Sequence, residues 1–333
     1  MKKVLLFYAV LLITGARAQV SDFNAIDFSK ADSIAELHNG ENLNNLSLLA
    51  HKLTSNLSTD AEKFRAIYTW VSTNIKSSGN IERIVNKNRD LFKDDSLSFI
   101  KWNLQYQKKV FHILKTRKKT VCTGYAYLVK ELASLADIEC EIINGYGRTA
   151  LSNSEKLEFG NHSWNGVKLN GKWYLCDPTW SAGYYDGNTI YISDYNDGYF
   201  LSDPVLFAKN HIPFEKKWLL DSTLVNKPFM ASALIYNETF KYKLVPVTPD
   251  KMKVTVPKGH EMTFSFRLLD DKKLNSIELV SFSPRNENKL SIYDLKTEGL
   301  YTSFKKSFRR KGSFDVHLKV NNDVVATYVI KVE

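Results

Sequence analysis

The spacing of apolar residues changes character along the chain. Phe64, Ile67, Tyr68, Val71 and Ile75 recur at three- and four-residue intervals, which predicts a helix with a buried face. Thr59 and Glu62 open it as a capping box, each side chain serving the other's backbone N–H. Residues 22–57 are polar, with weaker helical periodicity through Leu46, Leu49, Ala50 and Leu53. A second clear helix covers residues 123–136, where Val129, Leu132, Ala133 and Ala136 share one face. A short helix is expected over residues 98–115, and residues 76–100 carry no readable pattern.

Further along, the period falls to two. Asn170-Gly171, between strand-like residues 166–169 and 172–175, is a strong hairpin-turn signal. A two-residue loop pairs Leu169 with Lys172, Lys168 with Trp173, Gly166 with Leu175 and Trp164 with Asp177. Opposed residues share a face, as do residues two apart on a strand. His162, Trp164 and Asp177 therefore share one face, and Cys176 points to the other. A slip of one residue would separate His162 from Asp177. Beyond Met230 come short alternating runs: ETFKYKLVPV, KVTVP, MTFSFRLL, SIELVSF, KLSIYDL, FDVHLKV and VVATYVIKVE. With turn signals between them they predict an antiparallel, immunoglobulin-like sandwich. Asn321-Asn322-Asp323 joins its last two strands. This region holds neither Cys nor Trp, which excludes the disulfide-and-tryptophan core of antibody domains.

At 333 residues, 44% hydrophobic and 25% charged, the composition is that of a globular protein large enough for two domains. The first residues stand apart. Lys2 and Lys3 precede an apolar run over residues 4–13, and Ala16-Arg17-Ala18 is a small-x-small cleavage signal. This reads as a secretory leader, too short to span a bilayer. Cleavage after Ala18 would leave Gln19 first and the product periplasmic or extracellular. No other segment is long and apolar enough to cross a membrane as a helix. The expected organisation is a leader over residues 1–18, a mixed helix-and-strand domain over 19–229, and the sandwich over 230–333. The formal charge is +10, and loss of the leader removes three of those charges. A basic exported protein suits acidic surfaces or polymers, although solvated lysines are the plainer reading.

The candidate chemistry lies between these patterns. Cys122 stands at the start of the helix over residues 123–136, where the unpaired N–H groups and the positive end of the helix dipole favour thiolate. Gly124 lets another backbone or a substrate come close. Asp177 is placed to orient the His162 imidazole. A thiol, a base and a carboxylate on the base are the parts of nucleophilic catalysis: His162 takes the thiol proton, and Asp177 holds the ring and stabilises its charge. The backbone N–H of Cys122 is the first candidate donor to an oxyanion. Gln105 or Gln107 is a second, with a surface glutamine as the competing reading for each. Trp164, Trp180 and Tyr184 are candidate walls of a substrate groove, with core packing an equal reading for Trp164.

Other features are less informative. Cys140 and Cys176 sit in strand-like contexts, which leaves open both a bridge and two buried thiols. His211, before Ile-Pro, reads as part of a structural turn. Asp194, Asn196 and Asp197 fit a turn-rich hairpin better than a calcium loop, since the required Gly and Glu are missing. No HExxH or paired-cysteine motif argues for a metal, and no glycine-rich phosphate loop for a nucleotide. No cofactor and no nucleic-acid partner is implied.

VCTGYAYLVKELASLADIEC, NHSWNGVKLNGKWYLCDPTW and YFLSDPVLFAKNHIPFEKKWLL together resemble the transglutaminase-like cysteine peptidase superfamily, in particular its kyphoscoliosis-peptidase-like branch. The resemblance covers roughly residues 59–220, with three motifs in order. It implies an α+β, papain-like core with Cys122, His162 and Asp177 as the triad. It implies an enzyme acting on protein or peptide amide bonds through a thioester, resolved by water (hydrolysis) or by an amine (cross-linking). The superfamily also contains inactive members. A catalytically silent scaffold that binds peptides or cell-envelope polymer is therefore the competing expectation. Oligomeric state is left open.

Overall fold

Most helices of the first half begin where a side chain satisfies one of the first backbone N–H groups. The computed structural model describes residues 20–23, 25–150, 160–186, 190–225, 229–283 and 286–333; the leader reading over residues 1–18 lies outside them. Helix α1 is Ser29–Leu37, α2 is Leu46–Thr54 with Asn45 as its cap, and α3 is Asp60–Asn74. The Thr59–Glu62 capping box at α3 is present as expected. Strand β1 is Lys76–Ser77, and α4 is Gly79–Leu91, capped by Ser78. Asp95 caps α5, Ser96–Arg117; β2 is Lys119–Thr120 and α6 is Cys122–Ser134. The stretch without readable pattern thus forms α4, whose sole fully buried residue is Ile81. A helix with so little apolar face leaves no period to detect. Phe64, Ile67, Tyr68, Trp70 and Val71 make α3 the buried centre of the helical layer.

Strands β3 (Cys140–Gly147), β4 (His162–Leu169) and β5 (Lys172–Cys176) lead into α7 (Pro178–Ala182). The hairpin β6 (Gly183–Asp186) and β7 (Ile190–Ser193), the turn α8 (Pro204–Phe207) and β8 (His211–Pro213) follow. The central sheet has the order β5-β4-β3-β8 and is antiparallel. Asn170 and Gly171 take φ of 51° and 78°, the left-handed pair that a two-residue hairpin loop requires. Leu169 pairs with Lys172, Lys168 with Trp173 and Gly166 with Leu175, so the register is the expected one. Val167, Leu169, Tyr174 and Cys176 face the core shared with α3 and α6. Ile143, Trp164 and Leu175 face the opposite core.

The C-terminal part holds β9 (Leu234–Ile235), α9 (Asn237–Lys241), β10 (Leu244–Thr248), β11 (Lys253–Val256), β12 (Glu261–Leu268) and β13 (Ile277–Ser283). Strands β14 (Asn286–Leu290), β15 (Tyr293–Glu298), β16 (Tyr301–Ser307), β17 (Gly312–Val320) and β18 (Asp323–Val332) complete it. One sheet is β10-β12-β16-β15; the other is β11-β18-β17-β13-β14, with β9 also on β18. All pairings are antiparallel except β11 on β18. Asn321 and Asn322 form the two-residue turn between β17 and β18, with Val320 opposite Asp323.

Three local expectations fail here. The run from Glu238 starts in α9, not in a strand, because Thr239 Oγ1 accepts the Tyr236 N–H and caps a helical turn. KLSIYDL is divided between β14 and β15. Strand β16 was not anticipated; its buried Thr302 and Phe304 alternate with polar residues, giving a weak apolar signal. The second core is also continuous across the proposed domain boundary. It runs from Trp164 and Leu175 through Tyr199 and Phe207 to Phe240 and Phe264, and the Tyr199 and Phe240 rings stack at 3.9 Å.

Candidate active site

Cys122 is the first residue of α6. The residue before it, Val121, has no oxygen in its side chain, so no cap competes for the leading N–H groups. The N–H groups of Gly124 and Tyr125 bond to Val121 O at 2.8 and 3.3 Å. No hydrogen bond among the described residues engages the N–H groups of Cys122 or Thr123, and the positive end of the helix faces the thiol. The close approach at Gly124 is to Thr120 of β2: a Cβ there would lie 1.9 Å from Thr120 Oγ1. The glycine therefore seats the helix on β2 rather than admitting substrate.

Strand β4 begins at His162, beside the start of α6. Asn165 ties the two elements, its Nδ2 donating to Ala126 O at 2.9 Å. Asn161 ties the start of β4 to the end of β3, accepting from Gly147 N at 2.6 Å and donating to Gly147 O at 2.9 Å. Gly147 is required by space, since a Cβ would lie 2.9 Å from the Trp180 ring and 3.0 Å from His162 Cβ.

Asp177 ends β5 and caps α7, fully buried. Its Oδ1 accepts from the N–H groups of Thr179 and Trp180 at 2.8 and 3.2 Å. Its Oδ2 faces His162 Nε2 at 2.7 Å and His211 Nε2 at 3.2 Å. Its carbonyl accepts from Tyr68 Oη at 2.9 Å, which anchors it to α3. Burial alone would raise this carboxyl's pKa, but the charge and hydrogen bond of His162, with those of His211, hold it well below the usual carboxylate range.

His162 is buried, and burial disfavours its charge. Asp177, with a smaller part from the Cys122 thiol, overrides this and raises its pKa to about 10. With Nε2 committed to Asp177, Nδ1 is the nitrogen left for the thiol. Burial would raise the Cys122 pKa too. The hydrogen bond and charge of His162 and the backbone N–H of Ser163 lower it instead. The site therefore favours a thiolate–imidazolium pair. Trp180 stacks on His162 with ring centres 4.5 Å apart and planes 20° from parallel.

The structure brings Cys122, His162 and Asp177 together, with Trp180 stacked on His162. Trp164 is a correction: it is 1% exposed and packs against Phe207 and His211 in the second core, so it walls no groove. Tyr184 is exposed on β6. Gln105 is exposed and Gln107 half-buried on α5, and no hydrogen bond among the described residues ties either to the thiol. All three cysteines are free; burial pushes the Cys140 thiol up to about 12 and raises that of Cys176.

The structure adds residues that the sequence did not reveal. His211, read as a turn residue, lies on Asp177. It reaches the site through the pairing of Gly147 with His211 across β3 and β8, a contact with no local signature. Helix α4 brings Arg89, whose Nη2 donates to Gly160 O at 3.3 Å beside the start of β4. Burial lowers the Arg89 pKa, opposed by the negative charge of Cys122; burial raises that of Glu82, opposed by His162. His162, Asp177 and His211 offer three ligand atoms within 4.8 Å of one another. A metal ion there would replace both hydrogen bonds to Asp177.

A family model for the transglutaminase-like superfamily matches residues 48–178. Residues 48–178 are thus a transglutaminase-like segment. This segment includes Cys122, His162 and Asp177 and stops short of His211. Kyphoscoliosis peptidase of Mus musculus is 28% identical over 282 residues, 78% of this chain and 39% of the mouse protein. Kyphoscoliosis peptidase of Homo sapiens is 34% identical over 178 residues, 52% of this chain and 24% of the human protein. The chain is similar to both kyphoscoliosis peptidases and spans about two fifths or less of either relative's length. A crystal structure of a TGase aligns with 48% of this chain and 35% of its own at 15% identity, with a TM-score of 0.28.

Proposed function

We propose that this chain is an exported cysteine enzyme acting on protein or peptide amide bonds, with Cys122 as nucleophile, His162 as acid and base, and Asp177 as the group that orients His162. One observation carries the proposal: a thiol at an uncapped helix start is hydrogen-bonded to a histidine whose other nitrogen lies 2.7 Å from a buried carboxylate. In the proposed cycle His162 Nδ1 accepts the thiol proton, and sulfur attacks the carbonyl carbon of a carboxamide or peptide bond. The C–S bond forms as the carbonyl electron pair moves to oxygen, where the N–H of Cys122 donates. His162 then protonates the departing nitrogen, the C–N bond breaks and a thioester remains. Water or an amine attacks the thioester, His162 takes its proton, and the thiol is restored. Exclusion of water from the acceptor side decides between hydrolysis and cross-linking. The relatives named peptidases make hydrolysis the first activity to assay.

The test uses residues 19–333 and the Cys122→Ala variant. Both are incubated with peptides carrying glutamine, with and without a labelled primary amine, and products are read by mass spectrometry. Deamidated, cleaved or amine-linked peptides should appear with the wild type and vanish with a variant of unchanged melting temperature. Cys122 should also react with iodoacetamide much faster than a model peptide thiol at neutral pH. A Cys122 of ordinary reactivity, with no product from any peptide, would instead support the scaffold reading. Export rests on residues 1–18, and the natural product should begin at Gln19.

A further inference from the structure

Asp177 has an unusual burden. It is fully buried and ionised, and no Lys or Arg among the described residues pairs with it. Its charge is met by two backbone N–H groups and two imidazoles. The second imidazole belongs to His211, 1% exposed at the edge of the central sheet. Phe207 stacks on its ring at 3.9 Å, with Trp180 at 4.4 Å and Trp164 edge-on at 5.0 Å. Tyr199 lies further out at 6.3 Å. The ionisable groups facing it closely are Asp177 and His162, the latter with its ring centre 5.4 Å away.

We propose that His211 is a positioning residue of this site: a neutral imidazole that donates from Nε2 to Asp177 Oδ2, fixes the carboxylate rotamer and takes up part of its charge, so that His162 stays acidic enough to protonate a leaving amine. This deepens the triad reading and rests on it. The neutral state follows from the surroundings. Burial among aromatic rings, aided by the charge on His162, outweighs Asp177 and pushes the His211 pKa down to about 4. A neutral ring with its proton on Nε2 has a bare Nδ1. Asn210 Oδ1 lies 2.7 Å from that atom, so the Nε2–H tautomer requires this amide turned over, with its NH₂ toward Nδ1. The chain Asn210–His211–Asp177–His162 is then complete, with each proton donated toward the carboxylate. Without the His211 donor, the charge on Oδ2 would act on His162 alone. The imidazolium would be held more tightly and the acid step would slow, while the unshared charge on Asp177 would oppose the thiolate and raise the thiol pKa.

The test compares wild type with His211→Phe, which keeps a ring against Phe207, and His211→Gln, which keeps an N–H donor. The pH dependence of Cys122 alkylation by iodoacetamide reads the thiol directly and needs no substrate. The charged groups that set it are His162 and Asp177, with Arg89 and Glu82 on α4, and both variants leave these in place. The acid limb should move up, by at most about one pH unit, in His211→Phe, the scale of one lost hydrogen bond to a charged group, and return toward wild type in His211→Gln. Where a peptide substrate turns over, its rate should fall in His211→Phe as the acid limb of alkylation rises. A folded His211→Phe with the wild-type profile, or a Gln variant identical to it, overturns the proposal. If neither variant folds, or if wild-type Cys122 has ordinary thiol reactivity and the triad reading itself fails, ¹⁵N NMR of the wild-type histidines decides. His211 should be neutral with its proton on Nε2 at pH 7; a doubly protonated ring, or a bare Nε2, overturns it.

Discussion

Replacing Asp177 by Asn isolates the charge of the carboxylate from its shape. The Asn Oδ1 can still accept from Thr179 and Trp180 and cap α7, contacts now made at 2.8 and 3.2 Å. The other end changes sign. Where Oδ2 accepted from His162 at 2.7 Å, an NH₂ group now seeks an acceptor on Nε2. That forces the ring proton onto Nδ1, the nitrogen that must take the thiol proton. The carboxylate that lifts the His162 pKa to about 10 is also gone, leaving burial to lower it. The ion pair should collapse to neutral thiol and neutral imidazole. An ordinary thiol is ionised to about three parts in a hundred near pH 7, so the loss in alkylation rate can approach about thirtyfold. Turnover should fall further, by about 10⁴-fold, because the wrong tautomer and the lost stabilisation of imidazolium both act. The cost in stability has a ceiling of about 3–5 kcal/mol, that of stranding a buried charge, and His162 relieves it by losing its proton. The assays are stopped-flow alkylation, peptide turnover and thermal melting. Wild-type alkylation in a folded Asp177→Asn protein would refute the account, as would a rate loss explained entirely by unfolding.

Two further outcomes follow from the surroundings of single residues. Cys176 faces the core opposite the site, so Cys176→Ser should leave Cys122 alkylation unchanged and cost about 1–3 kcal/mol in urea unfolding, the price of burying a hydroxyl in place of a thiol; a parallel loss of reactivity would contradict the observed register. His211 titrates near 6.5 when unfolded and near 4 when folded. Between those values the unfolded chain binds a proton that the folded chain does not. This contribution is therefore full above about pH 6.5 and is lost as pH falls toward about 4, with a slope of about 1.4 kcal/mol per pH unit. Urea unfolding across that range should show the slope lessened by one proton in His211→Phe, and equal slopes would refute the assignment.

Much of the site was legible because it is local. The Asn170-Gly171 turn sets the register of β4 against β5, and a side-chain period of two then puts His162 and Asp177 on one face whatever surrounds them. The start of α6 at Cys122 follows equally from helix periodicity and the polar run before it. Periodicity could not reveal α4, because a helix that buries almost nothing carries no pattern. It could not tell whether Trp164 lines a groove or fills a core, since the same face of β4 holds the site at one end and packs on Phe207 and Trp218 further along. His211 was beyond reach for a different reason. It is 34 residues from Asp177, and only the pairing of β8 on β3 and the aromatic packing around it bring its Nε2 to the carboxylate. Sequence thus determined the juxtaposition of His162 and Asp177 through short-range backbone geometry. Tertiary structure alone decided which groups share the buried charge, because desolvation and long-range contacts depend on the whole packed core.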